Sequence, residues 1–181
     1  YKDSVFKNRA FDDEKLMFEV DFTIKHLIDG LFQLEVDKER KSKIRKNFEQ
    51  IVKEITLEHK VLTHRDYHSR NIMVKANALK VIDFQDMRMG LPQYDLVSLL
   101  EDCYYKINSD NKLELKKYYW EKARQAKVIV PGKNYEWDDF QCFYNKMAIQ
   151  RTFKAIGSFA YIYQKRDDIR YLKYIGYSFE Q

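Results

Sequence analysis

A chain of 181 residues, 45% hydrophobic and 15% aromatic with only five Gly and two Pro, is long enough for one domain with a substantial core and too apolar to be disordered. No apolar run is long enough to span a membrane, no secretory signal opens the chain, and Cys103 and Cys142 fit no metal or redox spacing, so a cytoplasmic protein with reduced, partly buried thiols is expected. The net charge of +5 is mild, and its one dense run, DKERKSKIRK from Asp37 to Lys46, reads as a solvated helix face; neither nucleic acid nor a membrane is an expected partner.

No repeat, low-complexity stretch or Pro/Gly/Ser-rich linker interrupts the chain, so residues 1–181 are read as a single domain. Leu16, Val20, Ile24, Leu27 and Leu31 recur at helical spacing, with Asp12 as N-cap and Gly30 as the stop. A second helix is expected from Lys38 to Glu58, with Ile44, Phe48, Ile51, Val52 and Ile55 on one face. Short β-like pieces follow from His59 to Phe84. After Pro92 the pattern is helical again, near Gln93–Lys106, Lys112–Lys127, Trp137–Gln164 and Asp167–Tyr174.

The chemistry concentrates in VLTHRDYHSRNIMV, Val61 to Val74, and the KVIDFQD that follows. Ile72–Lys75 and Leu79–Ile82 read as two strands joined by the three-residue connection Ala76-Asn77-Ala78. Symmetry about Asn77 pairs Lys75 with Leu79, Met73 with Val81, and Asn71 with Asp83. Asn71 and Asp83 then sit side by side at the open end of the hairpin, with Asp66 on the loop that feeds it. These are hard oxygen ligands of the kind Mg²⁺ prefers together with phosphate oxygens, and a neighbouring aspartate can take a proton from a hydroxyl. Asp-x-x-x-x-Asn, a hairpin and a further Asp therefore describe a phosphoryl-transfer site, where catalysis is mainly positioning and charge neutralisation.

His64-Arg65-Asp66 with Asn71 resembles the catalytic loop of the kinase fold, and Asp83-Phe84 resembles the start of its metal-binding motif. Gln85 stands where a protein kinase has Gly. HRDYHSRN followed by IDFQD and PQYDLVSLL is similar to the aminoglycoside phosphotransferase and choline kinase-like family. Within it, QRTFKAIGSFAYI, Gln150 to Ile162, resembles the bacterial kinases of the anomeric hydroxyl of N-acetylmuramate and N-acetylglucosamine, enzymes of cell-wall recycling. The resemblance runs from about Phe11 to Ile175. It implies an α+β, mostly α-helical fold, the C-terminal lobe of a protein kinase-like structure with a small β-hairpin carrying the active site. It also implies ATP and Mg²⁺, with a small-molecule acceptor.

On this reading Asp66 is the catalytic base, and Asn71 and Asp83 hold the metal. His64 is structural; Arg65 either braces the loop or reaches a phosphate. His68, Arg70, Gln85, Asp86 and Arg151 are the candidate substrate-binding residues. The bland alternatives are solvated loop residues for Ser69 and Arg70, and a surface pair or buried salt bridge for Arg151 with Lys154. Asp95 reads as a helix N-cap, and the resemblance adds that it ties its helix to the catalytic loop. The aromatic clusters at Tyr104-Tyr105, Tyr118-Tyr119-Trp120 and Tyr161–Tyr163 read as packing, with sugar stacking on one of them kept open.

The five glycines, at positions 30, 90, 132, 157 and 176, form no phosphate-binding loop, and no lysine-bearing strand is seen ahead of the first helix. The expectation is that the nucleotide-binding N-terminal lobe is a partner supplied by a longer parent protein, and that this chain alone is inactive. Within the kinase reading, an aminoglycoside or choline-type acceptor is the runner-up to the amino sugar, and two other readings compete. A zinc hydrolase would use His64, Asp66 and His68. A non-catalytic kinase-like module would use the same fold for binding only.

Overall fold

The computed structural model describes residues 5–129 and 136–179; Tyr1 and Gly132 lie outside them. The chain is mostly helical with two small antiparallel sheets of two strands each. Its elements are α1 (Asp13–Thr23), a π-helical continuation (Ile24–Leu31), α2 (Lys38–Thr56), β1 (Val61–Thr63), β2 (Ile72–Lys75), β3 (Ala78–Val81), β4 (Arg88–Gly90), α3 (Tyr94–Leu100), α4 (Ser109–Gln125), α5 (Trp137–Arg166) and α6 (Leu172–Phe179). No helix among the described residues is long and apolar enough to cross a membrane.

The chain divides into two compact units, Tyr1–Phe11 with Ile55–Ala148, and Asp12–Glu54 with Ile149–Gln181. The first holds both sheets. β1 pairs with β4, Val61 opposite Gly90 and Thr63 opposite Arg88, and the Thr63 hydroxyl donates to the Arg88 carbonyl at 2.9 Å. A side chain at position 90 would press on Phe11 and Thr63, its Cβ 3.0 Å and 3.2 Å from their atoms. Glycine there lets Phe11 stack on Tyr94 with ring centroids 4.4 Å apart. Tyr94, Val97, Leu100, Phe140, Tyr144 and Met147 are almost fully buried in this unit.

The hairpin forms, but with a different turn. Lys75 pairs with Ala78, Val74 with Leu79 and Ile72 with Val81, so the connection is the two residues Ala76 and Asn77. Both have positive φ, 49° and 58°, as in a type I′ turn whose twist matches that of the strands. The expected register is thus off by one: Asn71 stands opposite Ile82, and the Asn71 carbonyl accepts the Ile82 N–H at 3.0 Å.

In the second unit, Asp12 caps α1 as expected, its carboxylate accepting the Lys15 N–H at 2.8 Å. Leu16, Val20 and Leu27 are buried, as are Phe48 and Val52 of α2. Gly30 does not stop the helix, which runs on as π turns to Leu31. It makes room instead: a Cβ there would lie 1.7 Å from Gln164 Nε2, and Gln164 donates to the His26 carbonyl at 3.0 Å. The charged run of α2 is largely exposed, as expected, with Arg45 paired to Asp21 at 2.9 Å.

Two further expectations are corrected. The helix after Pro92 ends at Leu100, not Lys106, because the following backbone is taken up by the Asp102 carboxylate, which accepts the Tyr104 N–H at 2.8 Å. Both cysteines are free, and Cys103 is buried, but Cys142 is exposed on the outer face of α5.

Candidate active site

The first sheet delivers the chain into the loop after Thr63, and the hairpin brings its far end back beside that loop. His64 is buried, 7% exposed, and its Nε2 donates to the Ile82 carbonyl at 3.0 Å. That bond joins the loop to the end of β3, the bracing position expected for His64. Among the described residues no group of three or more His, Cys, Asp or Glu side chains is placed to hold a metal.

Asp95 is the second residue of α3 and does not cap it. The N-cap is Gln93, whose side chain makes no capping bond. The Asp95 carboxylate turns away from its own helix and accepts the N–H of His64 at 2.7 Å and of Arg65 at 3.1 Å. These charge-assisted bonds hold Arg65 at φ 78°, a left-handed backbone that disfavours any residue with a Cβ by about 1–2 kcal/mol.

Asp66 follows, its side chain 29% exposed, with Arg65 Nε 3.8 Å from its carboxylate. Arg65 Nη1 donates to Asp86 at 2.7 Å, and Arg9 reaches the other Asp86 oxygen at 3.7 Å. Burial works against the Arg65 cation, but the charges of Asp66 and Asp86 outweigh it and raise its pKa above the ordinary value. Arg65 is therefore a fixed positive charge beside the Asp66 carboxylate, and Asp86, half exposed, is paired with that arginine.

Asn71 ties the centre together. Its Nδ2 donates to the Asp66 carbonyl at 2.9 Å and faces Asp83 Oδ2 at 3.3 Å. With the NH₂ group so engaged, the amide oxygen is presented on the opposite side as a hard donor. Asp83 sits at φ 68° just past the hairpin, and Gln85 Nε2 donates to its other oxygen. Asp83 offers a carboxylate oxygen, and the Asn71 amide oxygen would have to turn towards it for the two to share a Mg²⁺, an ion that takes one or two protein ligands and completes its shell with phosphate oxygens and water. The Asn71–Asp83 proximity expected at the hairpin mouth is thus present in spite of the shifted register, because the side chains reach across the one-residue offset.

The later part of the loop packs on Tyr104. The Arg70 guanidinium lies 3.6 Å from the Tyr104 ring centroid, and the His68 ring meets it edge-on at 5.5 Å. Arg151 lies in the other unit, buried at the middle of α5.

One residue with a part in this geometry escapes the sequence reading. Asp102 is 2% exposed, and its carboxylate accepts the N–H of Ser69 and of Tyr104, each at 2.8 Å. Its signal is faint. Glu101 and Asp102 are carboxylates at the C-terminal end of an apolar helix, where the helix dipole disfavours negative charge. Glu101 is satisfied separately, by Lys112 and by the Tyr144 hydroxyl at 2.6 Å; burial and that carboxylate push the Tyr144 phenol far above its ordinary pKa.

The family model described as the phosphotransferase enzyme family matches residues 9–126. An N-acetylmuramate/N-acetylglucosamine kinase of Neisseria meningitidis is 39% identical over 112 residues, 62% of this chain and 33% of the relative. Relatives of the same description in Pseudomonas aeruginosa and Pseudomonas putida are each 34% identical over 113 residues, 62% of this chain and 32% of theirs. The chain spans about a third of the length of these relatives.

Proposed function

This chain belongs to the phosphotransferase enzyme family, and from that premise we propose that the whole protein is an ATP-dependent kinase of an amino sugar, with N-acetylmuramate or N-acetylglucosamine as acceptor and the anomeric hydroxyl as the nucleophile. The observation that carries the reading is the Asn71 side chain bridging the Asp66 carbonyl at 2.9 Å and the Asp83 carboxylate at 3.3 Å. It supports the reading because the residue proposed as base and the two proposed as metal ligands are joined by one side chain. The relatives, each described as a kinase of these two sugars, support the choice of acceptor. ATP as co-substrate suits a cytoplasmic protein.

Asp66 accepts the proton of the sugar hydroxyl as the hydroxyl oxygen attacks the terminal phosphorus of ATP, and the bond from that phosphorus to the bridging oxygen breaks to release ADP. Asn71 and Asp83 are the residues that would hold Mg²⁺, which supplies neutralisation of the phosphate charge when bound. Arg65 keeps a positive charge beside Asp66 and, with Asp86, stiffens the loop. His68 and Arg70, backed by Tyr104, line the side from which an acceptor approaches. The Arg70 guanidinium, resting 3.6 Å from the Tyr104 ring centroid, is suited to a carboxylate or hydroxyl-rich ligand.

The test uses the full-length protein with ATP, Mg²⁺ and a panel of N-acetylmuramate, N-acetylglucosamine, an aminoglycoside and choline. Phosphorylated amino sugar is expected, with kcat lowered at least about hundredfold in Asp66→Asn. Transfer only to the aminoglycoside or to choline overturns the acceptor. Failure to transfer to any of the four, together with no binding of Mg²⁺–ATP, overturns the kinase reading.

A further inference from the structure

Two carboxylates from one side of α3 hold the loop that carries Asp66. Asp95, at the start of the helix, takes the His64 and Arg65 amides. Asp102, just past its end, takes the Ser69 amide. The stretch with Asp66 near its centre is therefore fastened at one end to α3 and at the other to the segment that leaves it. Asp102 does a second thing: it also takes the Tyr104 amide, so the segment that follows α3 is drawn to the same point as the loop. Tyr104 thereby becomes the platform beneath Arg70 and against His68.

A carboxylate this deeply buried loses its hydration and opposes the dipole of α3, and two charge-assisted bonds from backbone N–H groups offset that cost. The bonds have mechanical consequences along the chain. The Ser69 amide is held by Asp102. His68, the residue before it, accepts the Asn71 N–H at 2.9 Å and donates its own N–H to the Asp66 carbonyl at 3.1 Å. Asn71 in turn faces Asp83. Displacement of Ser69 would pass directly to both Asp66 and Asn71.

We propose that Asp102 is a positioning residue for phosphoryl transfer: by holding the Ser69 and Tyr104 amides together it sets Asp66 and Asn71 at their working separation and fixes Tyr104 under Arg70 and His68. This rests on the reading of Asp66 as the base. Asp102 touches neither substrate nor nucleotide in this role and acts through the two backbone amides it holds.

The experiment removes the bond from each end in the full-length protein. Asp102→Asn keeps one acceptor oxygen in nearly the same volume. Ser69→Pro removes the donor: Ser69 opens a 3₁₀ turn, and His68 before it is already extended at φ −126° and ψ 171°, the conformation that a following proline requires. Ser69→Ala, which keeps the amide, is the reference for the proline variant. Thermal midpoint, amide exchange at Tyr104, kcat, and KM for ATP and for the amino sugar are measured for each.

The expected result is a fall in kcat of about tenfold or more per folded molecule in both Asp102→Asn and Ser69→Pro, with KM for ATP within twofold of wild type. Exchange at Tyr104 should be faster in Asp102→Asn. A merely structural role would lower the thermal midpoint and leave kcat of the folded molecules unchanged, and kcat within twofold of the references in both variants overturns the inference. If Asp102→Asn does not fold, Ser69→Pro decides by the same criterion. Failure of the underlying reading looks different: Asp66→Asn would retain activity, or the wild-type protein would transfer to no acceptor.

Discussion

Replacing Asp95 with alanine should cost the protein stability and activity together, and the structure fixes how much. The carboxylate accepts two backbone N–H groups, at 2.7 Å and 3.1 Å. Hydrogen bonds to a charged group contribute about 1.5–3 kcal/mol each, and stranding the donors adds to the loss. Against this, the freed Arg65 can leave its left-handed φ of 78° and recover about 1–2 kcal/mol. The balance is a destabilisation of about 3 kcal/mol for Asp95→Ala. Asp95→Asn keeps one acceptor oxygen but points an NH₂ group at the second amide, so about half that loss is expected. Urea unfolding of the full-length protein measures this as a lowered midpoint at unchanged m-value. A loss below about 1 kcal/mol in Asp95→Ala, with m unchanged, would refute the claim that Asp95 is the clamp on the loop rather than an ordinary first-turn acid of α3.

Gly157→Ala should destabilise by about 3 kcal/mol, since the new Cβ would lie 2.2 Å from the Thr23 hydroxyl and 2.7 Å from Thr23 Cα, and α1 backbone cannot move aside as a flexible side chain would; a denaturation midpoint equal to wild type would contradict the close approach. In the hairpin, Ala76→Asn with Asn77→Gly should stabilise by about 1 kcal/mol, because Ala76 bears a Cβ at φ 49° and Asn-Gly is the preferred type I′ pair; slower amide exchange across Lys75 and Ala78 reports it. Tyr119 should titrate above an ordinary phenol, burial first and then the Asp95 charge having pushed it from 10.0 to about 12, while its hydroxyl donates to the Pro92 carbonyl at 2.5 Å. The folded state holds that proton more tightly than the unfolded chain. The contribution to stability is therefore complete below pH 10 and falls as pH rises from 10 towards 12; Tyr119→Phe should flatten that fall in an alkaline unfolding series.

What could be read from the sequence was what neighbouring residues decide among themselves. Asp12 caps α1 because a short acceptor side chain sits just before a run with helical periodicity. The hairpin forms because two strand-like runs flank a turn. Asn71 and Asp83 meet because any tight hairpin between them returns the chain to its mouth, and two side chains tolerate an error of one residue in register. The register itself was not legible, since Ala76 gives no sign that it will accept a positive φ. Distant contacts decided the rest. Asp95 looks like a helix cap in sequence, and only the packing of α3 beside the loop turns its carboxylate to His64 and Arg65. Asp102 looks like part of a helix that continues, until the Ser69 and Tyr104 amides claim it. β4 is too short to announce itself without β1 to pair with, and Gly30 reads as a stop until Gln164 fills the space above it. A local pattern specifies which groups are available; a buried carboxylate or a missing Cβ gains its role only when tertiary structure brings a second backbone within reach, because the energy of that contact exists in neither segment alone.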